Sequence, residues 1–240
     1  MKNWDLFQEG LKQLNISLSE QQLQQFETFY EDLVEKNKVM NLTAITEWEE
    51  VVVKHFLDSL SIVKIVNFAE NGGEKKLMDL GTGGGFPGIP LKIAFPELEI
   101  VLADSLNKRI TFLQGEIEKL GLKKITAVHG RGEELGRKPQ YREQFDYCVS
   151  RAVANLSTLS EYCLPFVKVG GSFISYKAGN AEEELAKAKS AIHLLSGKVG
   201  KIESFVLGKD NHRTLIQIEK TKEISKKYPR KAGVPSKNPL

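Results

Sequence analysis

"MDLGTGGGFPGIPL", residues 78–91, sets four glycines within five positions, between an apolar run and a segment of helical character. Glycine loses more freedom on folding than any other residue, so such a cluster marks backbone that must turn left-handed or lie against something. A strand, a glycine-rich turn and a helix N-terminus together make a nucleotide cradle. Here Gly81-x-Gly83-x-x-Phe86 puts phenylalanine where a dinucleotide fingerprint has its third glycine. Pro87 follows and interrupts the N–H donors that a pyrophosphate would use. The loop suits a nucleoside-like ligand without phosphates; a purely structural turn is the other reading of the loop alone.

Working outward, short β-rich runs alternate with helical stretches. "KKLMDL", "LEIVLAD", "KITAVHG", "FDYCVSR" and "GGSFISYK" read as strands. The first is followed by a helix to about Phe95; "NKRITFLQGEIEKLG" and "LSTLSEYCLPFV" read as two more. This rhythm predicts an α/β fold, a mostly parallel sheet with helices on both faces. "KIESFVLGKDNHRTLIQIEK" predicts a terminal antiparallel hairpin. Residues 1–70 predict helices: Ser19 with Gln22 forms a capping box before Leu23, Phe26, Tyr30 and Leu33 at helical spacing. Thr46 with Glu49 forms a second box before Val52, Phe56, Leu60 and Val63. "NGG" at 71–73 marks a linker, giving an N-terminal helical segment (1–72), a ligand-binding domain (73–221) and a basic tail (222–240).

Three strand ends carry candidate ligand contacts. Asp104 closes the second strand, 23 residues beyond Gly81, where a carboxylate accepts from both ribose hydroxyls; its other reading is a helix N-cap. Glu133, after the third strand, lies where an adenine would sit, and Asp79 precedes the glycines where it could meet an ammonium group. S-Adenosylmethionine combines that ammonium-bearing tail, a ribose and an adenine, and has no phosphate. A terminal antiparallel hairpin is typical of the methyltransferases that use it and unusual in nicotinamide enzymes.

Composition bounds the rest. With 41% hydrophobic and 27% charged residues, the chain of 240 is an ordinary globular protein. No apolar run approaches a membrane span, and "MKNWDLFQEG" lacks a signal-peptide layout, so a cytoplasmic location is expected. Cys148 and Cys163 have neither disulfide-framework nor metal-site spacing and read as reduced, buried thiols; no metal is expected. Residues 1–70 carry a net charge of −6 and the remainder +9. "KEISKKYPRKAGVPSKNPL" (222–240) holds six Lys and Arg against one Glu; it reads as unable to pack as helix or strand, either solvated or a phosphate-binding arm.

The ordered set "MNLTAI" (40–45), "HFLDSL" (55–60), "DLGTGGGFPGIPL" (79–91), "LADSLNKR" (102–109), "HGRGEE" (129–134), "SRAVA" (150–154) and "YPRKAGVPSKNPL" (228–240) closely resembles the bacterial 16S ribosomal RNA guanine-N7 methyltransferases, the glucose-inhibited division protein B family. The resemblance runs essentially end to end. It implies a Rossmann-like class I S-adenosylmethionine-dependent methyltransferase with a seven-stranded sheet. It also implies methylation of a guanosine, nucleotide 527 in the usual rRNA numbering, in the small ribosomal subunit or an assembly intermediate. By the same resemblance Gly81, Phe86, Gly132, Glu133 and Arg151 contact the cofactor; Asp79, Gly83 and Asp104 join them from the reading of the loop and strand ends above. The family usually has alanine at the position of Gly132.

In-line methyl transfer asks mainly for alignment, and guanine N7 has a free lone pair and no proton to lose. No general base is apparent, nor a Pro-Cys nucleophile (Cys163 precedes Leu-Pro), nor a Pro-Pro-aromatic signature, for which "SRAVA" stands. Arg151 and Lys177, each near a strand end, are candidates to orient base or phosphate. Arg230, Lys231 and Lys237 are candidate RNA contacts. His55 and Asp58, at i and i+3, read as a hydrogen-bonded pair against the core, and Asn41 as a turn cap. A methyltransferase acting on another RNA or a small molecule is the main alternative; a nicotinamide oxidoreductase and a non-catalytic RNA-binding factor are the others.

Overall fold

A computed structural model describes residues 2–68, 74–151, 154–179 and 181–240. The linker expected at 71–73, and with it the proposed boundary after residue 72, lies outside the described residues, as do positions 152 and 153 of "SRAVA". Seven strands form one sheet: β1 (Lys76–Leu80), β2 (Glu99–Asp104), β3 (Ile125–His129), β4 (Phe145–Ser150), β5 (Val167–Ala178), β6 (Gly197–Leu207) and β7 (Asn211–Lys220). Their order is β3-β2-β1-β4-β5-β7-β6. Strands β1 to β5 pair in parallel, and β7 runs antiparallel between β5 and β6. Chain direction therefore switches sides of β1 between β2 and β4, which opens a crevice at the carboxyl ends of those strands.

The pleat sends alternate residues to opposite faces, and each face has its own core. Leu77, Ile100, Leu102, Val149 and Ile174 pack with Phe7, Phe26, Phe29 and Phe56 of the N-terminal helices. Met78, Leu80, Ala103, Cys148 and Phe173 pack with Leu156, Leu159, Ala188 and Ile192 on the other side. Both cysteines are free and buried. Residues 2–68 are thus one cover of the sheet, sharing its core.

Local chemistry accounts for most boundaries. Helix α1 is Asp5–Gln13; α2 (Glu20–Met40) opens on the expected capping box, Ser19 accepting from the Gln22 N–H and Gln22 reaching back to the Ser19 N–H. It ends at Asn41 in the left-handed region, φ 50°, the turn cap expected there. The second box does not form. Helix α3 (Trp48–Val51) starts instead after Glu47, without a side-chain cap. Tertiary anchoring sets that start: Trp48 is buried against Trp4 and Tyr30, and its Nε1 donates to the Asn3 carbonyl. The expected single α-helix also widens into a π turn over Val52–Leu57 before α4 (Asp58–Leu60), a departure often found at functional sites. Beyond β1 come α5 (Gly88–Ala94), α6 (Asn107–Lys119), α7 (Gly132–Leu135), α8 (Leu156–Cys163), α9 (Glu182–Leu194) and α10 (Val234–Lys237). Helix α9 was not expected from the sequence; Leu185, Ala188 and Ile192, at helical spacing, place it on the sheet.

The tail departs most from expectation. It packs, and it contains α10. Ile224, Tyr228 and Pro235 are buried. Arg142 donates to the carbonyls of Ile224 and Tyr228 at 2.9 Å each, and the Glu143 carboxylate accepts from the Ile224 N–H. No helix among the described residues is long and apolar enough to cross a membrane.

Candidate active site

The glycine loop is explained by its own geometry. Gly81, Gly83 and Gly85 have φ of 74°, 59° and 97°, which side-chain-bearing residues rarely adopt. Gly88 has a different reason: a Cβ there would lie 2.2 Å from Leu102 Cδ2 and 2.8 Å from Asp79 Oδ2. Asp79 Oδ2 accepts from the Gly88 N–H (2.8 Å) and from Thr82 Oγ1 (2.6 Å), tying the loop beneath itself. Full burial drives this carboxyl's pKa up to about 7, against those two hydrogen bonds, which lower it. Asp79 does not line the crevice. It braces the loop from beneath, and its Oδ1 is buried without a partner among the described residues.

A cavity of about 480 Å3 lies at the carboxyl ends of β1 to β4. Gly81, Asp104, Gly132 and Glu133, all expected at the ligand, line it. Asp104 is 4% exposed; Oδ1 accepts from the Leu106 N–H (2.9 Å), and Oδ2 accepts from the Gly83 N–H (3.0 Å) and Arg109 Nη1 (3.2 Å). Both readings of Asp104 therefore hold, since it pins the turn and faces the cavity. Gly83 contributes through that bond and is not among the lining residues. A Cβ on Gly132 would meet Leu80 Cδ2 at 3.1 Å, a contact that Leu80 relieves by a small shift, so the family's alanine fits this backbone.

Two lining residues come from the tail, Gly233 and Ser236. The Gly233 N–H donates to Glu133 Oε1 at 2.8 Å, so the carboxylate expected at adenine also holds the tail. Arg230, expected on RNA, is engaged inside the protein. Its N–H, Nε and Nη2 donate to Glu161 at 2.7, 2.9 and 2.6 Å, and the Glu161 side chain is fully buried. Lys231 and Lys237 are exposed and remain open to a partner.

Arg151 and Lys177 line a second cavity of about 200 Å3, beyond the first along the sheet, together with His55, Asp58 and Arg213. His55 and Asp58 do not bond each other; Arg151 stands between them. Its Nη1 forms an ion pair with Asp58 Oδ2 (2.9 Å) and its Nη2 donates to His55 Nδ1 (3.0 Å). A guanidinium only donates, so against Arg151 Nδ1 is the acceptor, which leaves the Lys54 carbonyl at 3.1 Å a contact without a proton between, and Nε2–H donates to Thr43 Oγ1 at 2.8 Å. Burial first and Arg151 second push the His55 pKa down to about 3, which keeps the ring neutral. Phe86, expected at the cofactor, stacks on His55 with centroids 4.5 Å apart and lies under Arg151. The sequence offers His55 and Asp58 as neighbours, but Arg151 lies 96 positions beyond His55, and Arg213, unremarked in the sequence, completes the network.

A parallel sheet with one terminal antiparallel hairpin, and a nucleoside-sized cavity over its carboxyl edge, define a class I methyltransferase, whose cofactor is S-adenosyl-L-methionine. Solved structures share the fold. A mutant 16S rRNA (adenine(1408)-N(1))-methyltransferase from Catenulisporales acidiphilia aligns with a TM-score of 0.54 at 14% identity, over 65% of this chain and 87% of that one. A precorrin-6y C5,15-methyltransferase from Geobacter metallireducens gives 0.50 at 13%, over 74% and 90%. The family model described as rRNA small subunit methyltransferase G matches residues 22–227. Proteins named ribosomal RNA small subunit methyltransferase G are 53% identical in Lachnoclostridium phytofermentans (100% of this chain, 98% of that one) and 48% in Alkaliphilus metalliredigens (100% of both). The chain belongs to this family, GidB, and is a methyltransferase.

Proposed function

We propose that the chain methylates N7 of a guanosine in 16S rRNA, at the nucleotide that the sequence resemblance implies, and that the first cavity holds the cofactor. The observation that carries this reading is the convergence of Gly81, Asp104 and Glu133, from three strand ends, on one cavity of a size suited to a small ligand. The donor set fits the group: acidic oxygens for ribose hydroxyls and adenine, and glycine backbone that approaches closely. When bound, the cofactor supplies a methyl group on a sulfonium, which a well-aligned lone pair displaces.

The chain's own work is positioning. Asp104 has the loop N–H and Arg109 as partners and acceptor capacity left for a ribose hydroxyl. Glycine at 81 and 83 lets the loop turn without side chains in the way. N7 attack needs no proton acceptor, and the side chains at hand are consistent with that. The acceptor nitrogen of His55 is taken by Arg151, and Cys163 is fully buried. The finished base leaves with the positive charge that the sulfonium brought. Lys231 and Lys237 offer charge to RNA phosphates.

Small ribosomal subunits rebuilt with 7-deazaguanosine at the target test the acceptor atom. Replacing N7 by C–H removes the lone pair and nearly preserves shape. The expected result is binding without methyl transfer; robust methylation of that substrate would remove N7 from the reading.

A further inference from the structure

The second cavity shares no lining residue with the first, and its walls come from two parts of the fold. One wall is the carboxyl ends of β4 and β5 with Tyr176 and Lys177; the other comes from the N-terminal cover, with Lys54, His55 and Asp58. Asp58 is the one carboxylate in this lining, and it is 4% exposed. Its Oδ1 accepts from Arg213 Nε at 3.0 Å, and its Oδ2 forms an ion pair with Arg151 Nη1 at 2.9 Å. An ionised carboxylate has about four acceptor positions, so the one hydrogen bond and the ion pair leave at least two unspent among the described residues. The group is also fixed in place. Arg151 is braced by Ser59 Oγ (3.2 Å) and His55 Nδ1 (3.0 Å), and Tyr176 Oη donates to the Ser59 carbonyl (2.9 Å).

A rigid, part-satisfied carboxylate in a cavity reads adjacent donors. Among the four RNA bases, guanine alone presents two such donors side by side on its Watson–Crick edge, N1–H and the N2 amine. Adenine and cytosine pair one donor with a ring acceptor, and uracil flanks its single N–H with two carbonyls. N7 lies on the far edge of the purine from N1 and N2. A carboxylate that grips the Watson–Crick edge therefore turns N7 away from itself. Single-stranded or extruded RNA bases are commonly read on this edge.

We propose that the second cavity receives the target guanine, with the Asp58 carboxylate accepting from N1–H and N2–H, so that N7 is presented toward the neighbouring cofactor cavity. The inference rests on the N7 reading above and deepens it by naming the residue that selects the base. Arg151 and Arg213 act as positioning residues that aim Asp58. Lys177, held by the Ala154 carbonyl and Glu184 at 2.7 Å each, lines the same space as a donor for the O6 acceptor.

The test uses small ribosomal subunits rebuilt with inosine at the target position. Inosine keeps N1–H, O6 and N7 and lacks only the N2 amine. Loss of one hydrogen bond to a charged acceptor should lower kcat/KM by roughly ten- to a hundredfold relative to guanosine. In Asp58→Asn the guanosine-to-inosine ratio should collapse to within about threefold. That ratio is measured within one preparation, so any loss of folded protein cancels. Wild-type enzyme that methylates inosine as well as guanosine overturns the proposal, as does a ratio that survives in Asp58→Asn. A 7-deazaguanosine arm separates the two ideas: methylation there sinks the N7 reading, whatever the inosine result.

Discussion

Removing one arginine from the tail should weaken the cofactor site without touching a lining residue. In Arg230→Ala, the fully buried Glu161 carboxylate loses the Nε and Nη2 donors and keeps only the backbone N–H of residue 230. Breaking a buried pair by deleting one partner costs about 3–5 kcal/mol. The Arg230 side chain is 25% exposed, so the lower end, about 3 kcal/mol, is the better figure. The cheapest relief is local: the tail lifts, water reaches Glu161, and Gly233 leaves Glu133. A 3 kcal/mol bias against the docked tail shifts its docking equilibrium constant by roughly a hundredfold. Ligand affinity falls in proportion to the competent fraction. Calorimetry with S-adenosylmethionine should therefore show a Kd raised by about ten- to a hundredfold, and proteases should cut near residue 230 faster. Lys231→Ala, at an exposed neighbour, is the control and should leave Kd within about twofold. Unchanged affinity and protease resistance in a folded Arg230→Ala protein would refute the reasoning and return Arg230 to the RNA.

Two glycines should respond in opposite ways to alanine. Gly88→Ala drives a methyl into Leu102 and the Asp79 carboxylate and should cost about 1–3 kcal/mol in urea unfolding, whereas Gly132→Ala, relieved by Leu80, should stay within about 0.5 kcal/mol; equal losses would show that the loop relaxes more freely than its contacts imply. His55 binds its proton in the unfolded chain near pH 6.5 and in the folded one only near about 3, so below 6.5 the unfolded state holds the extra proton and stability falls with falling pH. Asp79 and Glu116, both raised to about 7 chiefly by burial, act with the opposite sign as pH rises through their window. The comparison is therefore wild type against His55→Asn between pH 6 and 4, where the variant should lack up to about 1.4 kcal/mol per pH unit of that loss; parallel curves would show that His55 titrates normally.

The parts of this molecule that sequence announces are those governed by neighbours along the chain. Alternating apolar residues in "KKLMDL" or "LEIVLAD" must face two cores, and the box at Ser19 and Gln22 caps its own helix, so both were legible. Thr46 and Glu49 have the same local pattern, but the burial of Trp48 decides where that helix starts. The tail misleads for a related reason. Its prolines, glycine and lysines have the composition of a solvated end, while the groups that order it, Glu133, Arg142 and Glu161, lie 70 to 100 positions upstream. Asp104 and Glu133 were legible because strand ends place them; Phe86 and Arg151 were assigned to the cofactor by resemblance, and the stacking of Phe86 on His55 and the bond from Arg151 to that ring depend on an N-terminal turn whose geometry no motif announces.

The hairpin of β6 and β7 lies between the parallel strands and the tail in sequence, and this orders events during synthesis. Residues 233 and 236 emerge from the ribosome after every other residue that lines the first cavity. A nascent chain that has already paired all seven strands still lacks one wall of its cofactor site. Ligand binding, and the stabilisation that it lends the folded state, therefore becomes available in full only to a chain made through Ser236. Cofactor retention is in that sense a readout of translation having passed this point, and fragments ending at Lys220 would keep the sheet while forgoing that protection.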